Sequence, residues 1–262
     1  MVHLSKNIPH RALLKNVVEL YQRFLKRMFK MNYNFNQSPV LEAGNGLQKY
    51  MISVFNRMFM ALCLTGLVSF ACSSNPAVMQ VMTGGFSVIV ILMIATLGIV
   101  LYLSTQIKKI SAERANILFW IYSALIGLSI SPIFVLYTGE SLANAFFTTA
   151  IFFGGMSLYG YVTKKDLTGV GSFMTVGLFS IIIASVINLF LKSSALQLGL
   201  SAISIVVFCG LTAYDIQKIR AFYNPAMSEE DIKKRSIIGA LALYLDFMNL
   251  FLALLRFLGN RK

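Results

Sequence analysis

Long stretches without any charged side chain divide this sequence, and they restrict its fold more than any other feature. The longest runs from Met58 to Ile107. The other stretches are Ala115–Gly139, Ser141–Thr163, Leu167–Leu191 and Ser193–Tyr214. Each provides the roughly 20 residues with which an α-helix crosses a bilayer, and a helix satisfies its own backbone polar groups there. The chain is therefore predicted to be an all-α polytopic membrane protein in contact with the lipid bilayer.

The composition argues against the soluble classes. Of the 262 residues, 57% are hydrophobic and 13% are charged, whereas a soluble domain carries about 25% charged residues. The net charge of +13 comes mainly from the N-terminal tail and short connections, which is typical of cytoplasmic membrane loops and not of a nucleic-acid groove. Three scattered cysteines, together with two histidines in the tail, predict no disulfide framework, no metal site and no cofactor.

Residues 1–50 are predicted to be a basic cytoplasmic tail, and residues 51–262 a seven-helix membrane domain. The tail has eight lysines and arginines against Glu19 and Glu42, and no apolar stretch long enough to span a bilayer. It is either disordered or a basic amphipathic helix on an anionic membrane surface. Alternatively, Met31 is the true start and the preceding residues are an artefact. No secretory signal is expected, because no short apolar core with a cleavage site follows the basic residues.

Seven spans are predicted from the apolar stretches and the turn residues between them. They are Ser53–Cys72, Met82–Ser104, Asn116–Tyr137, Leu142–Val162, Thr168–Leu191, Ala195–Ile216 and Ser236–Leu258.

The charges of the connections predict the orientation of the spans. Ten lysines and arginines lie in the connections after spans two, four and six, whereas the alternate connections contribute only Lys192. The excess of positive charge in cytoplasmic loops places the N-terminus in the cytoplasm. Seven spans then leave Arg256, Arg261 and Lys262 outside, against the same rule. A last segment that enters without crossing would remove the conflict, but Ser236–Leu258 is long enough to cross, and we favour seven spans.

Two aspartates inside membrane-length segments, Asp215 and Asp246, are the candidate functional residues. An ionised carboxylate in hydrocarbon costs at least about 2.5–3.5 kcal/mol. Both lie on polar and small-residue stripes at helical spacing, which indicates that the stripes face neighbouring helices or water. The stripe of the last span is Arg235, Gly239, Ala242, Asp246, Asn249, Ala253 and Arg256, and that of span six is Ser201, Ser204, Phe208, Thr212 and Asp215.

The two helices are antiparallel neighbours, so the aspartates can lie at equal depth if span six continues helically past Lys218 to about Tyr223. Ser228 is predicted to cap the next helix. Two carboxylates in contact at low dielectric cannot both ionise cheaply, so the pair would share a proton and act as a pH-sensitive latch. A local alternative remains open. In it, Asp215 pairs with Lys218, and Asp246 bonds to Asn249 or to a tyrosine hydroxyl.

Several motifs resemble a known family. Gly210–Arg220, Leu243–Phe251 and Leu254–Gly259 are similar to the closing signature of the Bax inhibitor-1 family, with support from Arg57–Gly66 and Phe153–Tyr161. The similarity covers roughly residues 45–260, and the bacterial branch is the most similar.

The resemblance implies a fold, a location and a function. The last of seven helices would be central within a bundle of six, in a bacterial inner membrane. The protein would be a pH-sensitive calcium leak whose sensor pair maps onto Asp215 and Asp246, with calcium as the transported ion. One departure concerns span two. Members best understood as leaks carry an acidic residue and an arginine there, and Met82–Ser104 has neither.

The sequence features support three classes of function to different degrees. A proton-gated cation leak accounts for the paired aspartates. A non-transporting regulator that binds a membrane-bound ATP-dependent protease is the alternative, because some bacterial relatives resemble such regulators; the basic tail and the aromatics Phe146, Phe147, Phe152 and Phe153 would then contact the partner. An intramembrane enzyme is not expected, because Asp246 lacks the glycine context of aspartyl proteases and the sequence has no serine–histidine or zinc motif.

Overall fold

A computed structural model describes residues 42–262, and eight α-helices make up nearly all of that range. In chain order they are α1 Glu42–Ser73, α2 Pro76–Thr83, α3 Phe86–Gln106, α4 Ala112–Leu136, α5 Gly139–Val162, α6 Thr168–Leu191, α7 Ser194–Ala221 and α8 Glu229–Leu258. The tail was predicted over residues 1–50. Residues 1–41, and with them the choice between Met1 and Met31 as the start, lie outside the described residues, whereas residues 42–50 form the beginning of α1.

Seven of these helices account for the predicted spans. Six of them, α1 and α4 to α8, are long and apolar enough to cross a membrane. The seventh, α3, contains a shorter apolar part, Val90–Gln106. The whole of α3 has 21 residues. At about 1.5 Å per residue it is roughly 32 Å long, which matches the hydrocarbon thickness. The prediction of an all-α polytopic membrane fold is confirmed.

The predicted start of the second span is wrong. Met82 belongs to the short helix α2, which begins at Pro76 because the side chain of Asn75 accepts hydrogen bonds from the Ala77 and Val78 amides. Two consecutive glycines, Gly84 and Gly85, separate α2 from α3. A Cβ at Gly84 would lie 2.5 Å from the Gln80 carbonyl oxygen, so a side chain does not fit this break.

Helix α8 is the most buried of the candidate spans and lies at the centre of the bundle. It packs directly against α7, α1, α5 and α4. Helices α3 and α6 are peripheral: α3 packs mainly on α4, and α6 packs on α7. The last helix is therefore central as predicted, with four helices supplying most of its contacts.

Helix α8 also crosses the bundle completely. The residues after it are bound to the connection between α4 and α5: the Thr138 amide donates to the Asn260 carbonyl (3.3 Å), and the Lys262 amide donates to the Leu136 carbonyl (3.0 Å). The Arg261 guanidinium lies 5.8 Å from the centroid of the Tyr137 ring. The two ends of α8 therefore lie at opposite ends of the bundle. This contradicts the alternative in which the last segment enters the membrane without crossing it.

Candidate functional site

Small residues of α5 and α6 fix the turn of α7 that precedes Asp215. A Cβ at Gly160 of α5 would overlap the backbone of Ala213, and a Cβ at Gly171 of α6 would overlap the ring of Tyr214. Only glycine permits these close approaches, which allow helices in membranes to pack backbone to backbone. The segment that carries Asp215 is therefore held from two sides.

A polar clamp holds the same helix two residues further along. The Gln217 side chain accepts a hydrogen bond from the Leu167 amide and donates one to the Lys165 carbonyl, each 2.8 Å long. The guanidinium of Arg220 donates to the Tyr161 carbonyl. Helix α7 is thus bound to the connection between α5 and α6. This role of Gln217 was not predicted from the sequence, although the residue belongs to the motif that resembles the family signature.

The register between α7 and α8 sets the relative depth of the aspartates. A Cβ at Gly239 would lie 3.2–3.4 Å from side-chain carbons of Ile219, which places these residues opposite each other. Counting seven residues along each antiparallel helix puts Asp246 opposite Thr212. Asp215 is three residues from Thr212 and then lies about 4.5 Å nearer the connecting loop, whereas the sequence predicts equal depth. Helix α7 ends at Ala221, close to the predicted Tyr223, and Ser228 caps α8 as predicted, accepting from the Asp231 amide.

Asp246 is buried, with only 5% of its surface exposed, whereas Asp215 is partly exposed. Among the described residues, the Oδ2 atom of Asp246 has no hydrogen-bond partner. Asp246 is close enough to Asp215 and to Lys218 for electrostatic interaction with both. Asp215 also interacts with Lys218, so two carboxyl groups and one ammonium form a single electrostatic cluster.

The position of Lys218 explains how a cation remains at this site. Its ammonium lies 5.6 Å from the centroid of the Tyr214 ring and 5.8 Å from that of Phe222. Such cation–π contacts favour a partly desolvated ammonium. Asp215 therefore interacts electrostatically with Lys218, as in the local alternative, and also with the second aspartate.

The local partners predicted for Asp246 are engaged elsewhere. Asn249, one turn away, donates its amide to the Leu245 carbonyl (2.8 Å). The hydroxyl of Tyr244 lies 2.7 Å from Thr65 Oγ1, and either oxygen can be the donor. Thr65 Oγ1 in turn lies within 2.9 Å of the Ser123 carbonyl. Thr65 thus joins α1, α4 and α8 in a buried polar contact that the sequence pattern does not predict.

The remaining residues of the predicted polar stripe are spread along the helices. The Thr212 hydroxyl donates to the Phe208 carbonyl and that of Ser204 to the Leu200 carbonyl, each at 2.7 Å, so both are satisfied within α7. Thr212 is fully buried opposite Asp246. Ser204 lies two turns further along α7. Arg256 is exposed, ten residues and about 15 Å beyond Asp246, and is not part of the cluster.

One predicted contact residue is misplaced. Phe146, Phe147 and Phe152 are exposed on the surface of α5, but Phe153 is buried. Its ring lies 5.4 Å from that of Phe247 in an edge-to-face arrangement, because Phe153 shares the buried stripe of α5 that faces α8.

No cluster of three or more potential metal ligands occurs within residues 42–262. The arrangement around Asp246 contains two carboxyl groups with a nearby ammonium, which can hold a shared proton or bind a cation transiently.

Comparisons with known proteins agree with the fold. The sequence model described as "Inhibitor of apoptosis-promoting Bax1" matches residues 47–262. The uncharacterized protein RP147 of Rickettsia prowazekii is 49% identical over 218 residues, which cover 83% of this chain and 92% of that protein. The inner membrane protein YbhL of Escherichia coli K12 is 44% identical over 225 residues, covering 85% of this chain and 96% of YbhL.

Proposed function

The chain is a multi-pass integral membrane protein of the Bax inhibitor-1 family, and from that premise we propose that it is a pH-sensitive leak for calcium or other cations, gated by Asp215 and Asp246. One observation carries this function. The buried Oδ2 atom of Asp246 has no hydrogen-bond partner among the described residues and lies within electrostatic range of a second carboxyl group. An unpaired buried carboxylate costs several kcal/mol, so retaining it favours a role in which it binds a proton or a cation.

The charges of the cluster give the direction of the pH response. Asp215 and Lys218 are the charged groups that act on Asp246. With one proton on the pair, the remaining carboxylate and the ammonium of Lys218 cancel, and the helices stay closed. Loss of that proton leaves one net negative charge, which either separates α7 from α8 or is neutralised by an entering cation. Leak activity is therefore expected to rise as the pH rises through the deprotonation of the pair.

Flux measurements in calcium-loaded liposomes test this function. Asp215→Asn and Asp246→Asn each remove one ionisable group while keeping the shape of the side chain. We expect either variant to reduce calcium release to the level of protein-free liposomes and to abolish its pH dependence, because a second negative charge can no longer form. Glu140→Gln is the matched control, because it removes the charge of an exposed residue at the start of α5. This variant should retain the wild-type flux. Wild-type flux and pH profile in both aspartate variants would exclude this gate.

A non-transporting regulator that binds a membrane-bound ATP-dependent protease is the second candidate. It is favoured by the absence of acidic residues and arginine from α3, and by the exposed rings of Phe147 and Phe152 on α5. Crosslinking in native membranes followed by purification distinguishes the two functions. A protease that is recovered with the wild type and lost with Phe147→Ala and Phe152→Ala, combined with no flux in liposomes, would favour the regulator.

A further inference from the structure

A polar cavity of about 570 Å³ lies at the end of the bundle where α4 and α8 begin, remote from the aspartate pair. It lies between three helices. Its walls include Arg57 of α1, Ser111, Glu113 and Asn116 at the start of α4, and Lys233 and Ile237 of α8. The proposed leak does not involve this cavity.

One cation and one anion that line the cavity have no ion-pair partner within residues 42–262. Glu229 and Glu230, which also line it, have lysine partners one turn along α8: Glu229 Oε2 is 3.9 Å from Lys233 Nζ, and Glu230 Oε1 is 3.1 Å from Lys234 Nζ. Arg57 and Glu113 form no ion pair with any described residue. The cavity therefore presents a guanidinium and a carboxylate that do not neutralise each other directly.

Arg57 is suited to bind an anion here. The side chain is half-buried, and of the five N–H donors of a guanidinium, the hydrogen bonds of the described residues use one nitrogen, which donates to the hydroxyl and carbonyl of Ser53. A partly buried positive charge is stabilised by an opposite charge, and guanidinium groups bind phosphate in a bidentate geometry. The first turn of α4, which lines the same cavity, adds backbone amides that favour an anion.

The depth of the cavity identifies the kind of ligand. Thr65 of α1 contacts the Ser123 carbonyl, and Ser69 donates to the Gly127 carbonyl (2.6 Å), so the two helices run side by side with a constant offset of 58 residues. Arg57 is therefore level with Ala115. The charge-free stretches of α1 and α4 begin at Met58 and Ala115. The cavity thus lies where the hydrocarbon region starts, at the level of the lipid head groups.

We propose that this cavity binds the head group of a zwitterionic phospholipid that carries a phosphate and a primary ammonium. The phosphate contacts Arg57 and the start of α4, and the ammonium contacts Glu113. This combination neutralises both charges that lack an ion-pair partner in the described part of the chain, whereas a head group with a phosphate alone leaves Glu113 facing an anion. The lipid would join α1 to α4 at one end of the bundle, and its binding does not depend on whether the protein transports ions.

Native mass spectrometry of the purified full-length protein tests the site. The protein is titrated separately with a phosphoethanolamine, a phosphoglycerol and a phosphocholine lipid, and with inorganic phosphate. We expect preferential retention of the phosphoethanolamine lipid. Arg57→Gln should weaken that retention about tenfold or more, because a charge-assisted hydrogen bond is lost. Arg57→Lys should recover part of it. Glu113→Gln should abolish the preference for phosphoethanolamine over phosphoglycerol.

Arg114→Gln is the matched control, because this adjacent arginine is exposed and does not line the cavity. It should bind lipid as the wild type does. Circular dichroism and gel filtration establish that Arg57→Gln is folded; if it is not, the comparison of Arg57→Lys with Glu113→Gln decides the question. Equal retention of all three lipids, no effect of Arg57 and Glu113 substitutions, or saturation by inorganic phosphate at the same concentration as by lipid would each overturn the proposal.

Discussion

Asp166 differs from the two membrane aspartates because it lies in the exposed connection between α5 and α6. Its Oδ1 atom accepts hydrogen bonds from the Thr168 hydroxyl (2.6 Å) and the Thr168 amide (2.9 Å). The hydrogen bond from the Thr168 side chain, and next the one from its backbone, hold the pKa of Asp166 below its ordinary value of 3.8. Both bonds favour the ionised carboxylate and so couple the structure of this connection to pH.

The direction of this coupling follows from the lowered pKa. The contribution of the ionised carboxylate to stability is present above pH 3.8 and is lost as the pH falls through the lower value of the folded state. We expect the Thr168 amide to lose protection from hydrogen exchange in that acidic range. Asp166→Asn keeps an acceptor oxygen but has no titrating group. In this variant the protection of the Thr168 amide should therefore no longer change with pH. Identical pH profiles for the wild type and this variant would contradict the assignment.

At the scale of the helices, glycines decide how closely α6 approaches α7. Gly171 faces the Tyr214 ring, whereas nothing lies within 4 Å of a Cβ at Gly169. We expect Gly171→Ala to destabilise the protein by about 1–3 kcal/mol, because the added methyl group overpacks this contact. Gly169→Ala is the control, and should be neutral or stabilising by roughly 0.5–1 kcal/mol through its higher helix propensity. Thermal unfolding in detergent measures both. An equal effect of the two substitutions would show that the contact does not restrict α6.

The Gln217 clamp connects the helix that carries Asp215 to the connection between α5 and α6. Gln217→Ala removes both hydrogen bonds and leaves the Leu167 amide without an acceptor from this side chain. We expect a loss of about 1–3 kcal/mol, with faster hydrogen exchange confined to residues 163–168. Gln197→Ala changes an exposed glutamine of the same helix and should alter neither property. Unchanged exchange in residues 163–168 of Gln217→Ala would mean that the clamp does not order this connection.

In the whole molecule, α8 begins at one end of the bundle and ends at the other, where hydrogen bonds hold the residues that follow it. The residues after α8 bind the connection between α4 and α5, so these two segments share one side of the membrane. The connection between α5 and α6 is on the opposite side, because α5 crosses between them. The bundle fixes which segments lie together, and the charges of the connections predict which side is cytoplasmic.

Reporter fusions test this orientation in cells. We expect alkaline phosphatase to be active when fused after Lys262, because that segment is predicted to be periplasmic. A fluorescent protein fused after Lys165 should fluoresce, because the lysines of that connection favour the cytoplasm. Activity of the phosphatase at Lys165 together with its inactivity at Lys262 would reverse the predicted orientation.

The class of fold, the number of spans and the candidate residues follow from the order of the amino acids alone. Stretches without charge specify membrane helices, because the cost of a charge in hydrocarbon acts on each segment independently of its neighbours. The same cost identifies Asp215 and Asp246 as candidate functional residues without any knowledge of helix packing. The cap at Ser228 was also predictable, because capping depends on residues adjacent in the chain.

The contacts that these segments make depend on how the helices pack. In the structure Asp215 is three residues from the position opposite Asp246, Phe153 is buried against Phe247, and Gln217 binds the connection between α5 and α6. Arg57 and Glu113 are also separated across a cavity. Such contacts join residues far apart in the chain, and in a membrane both the lipid-facing and the buried sides of a helix are apolar. Hydrophobic patterning therefore cannot identify the partners, and close packing of particular side chains selects them.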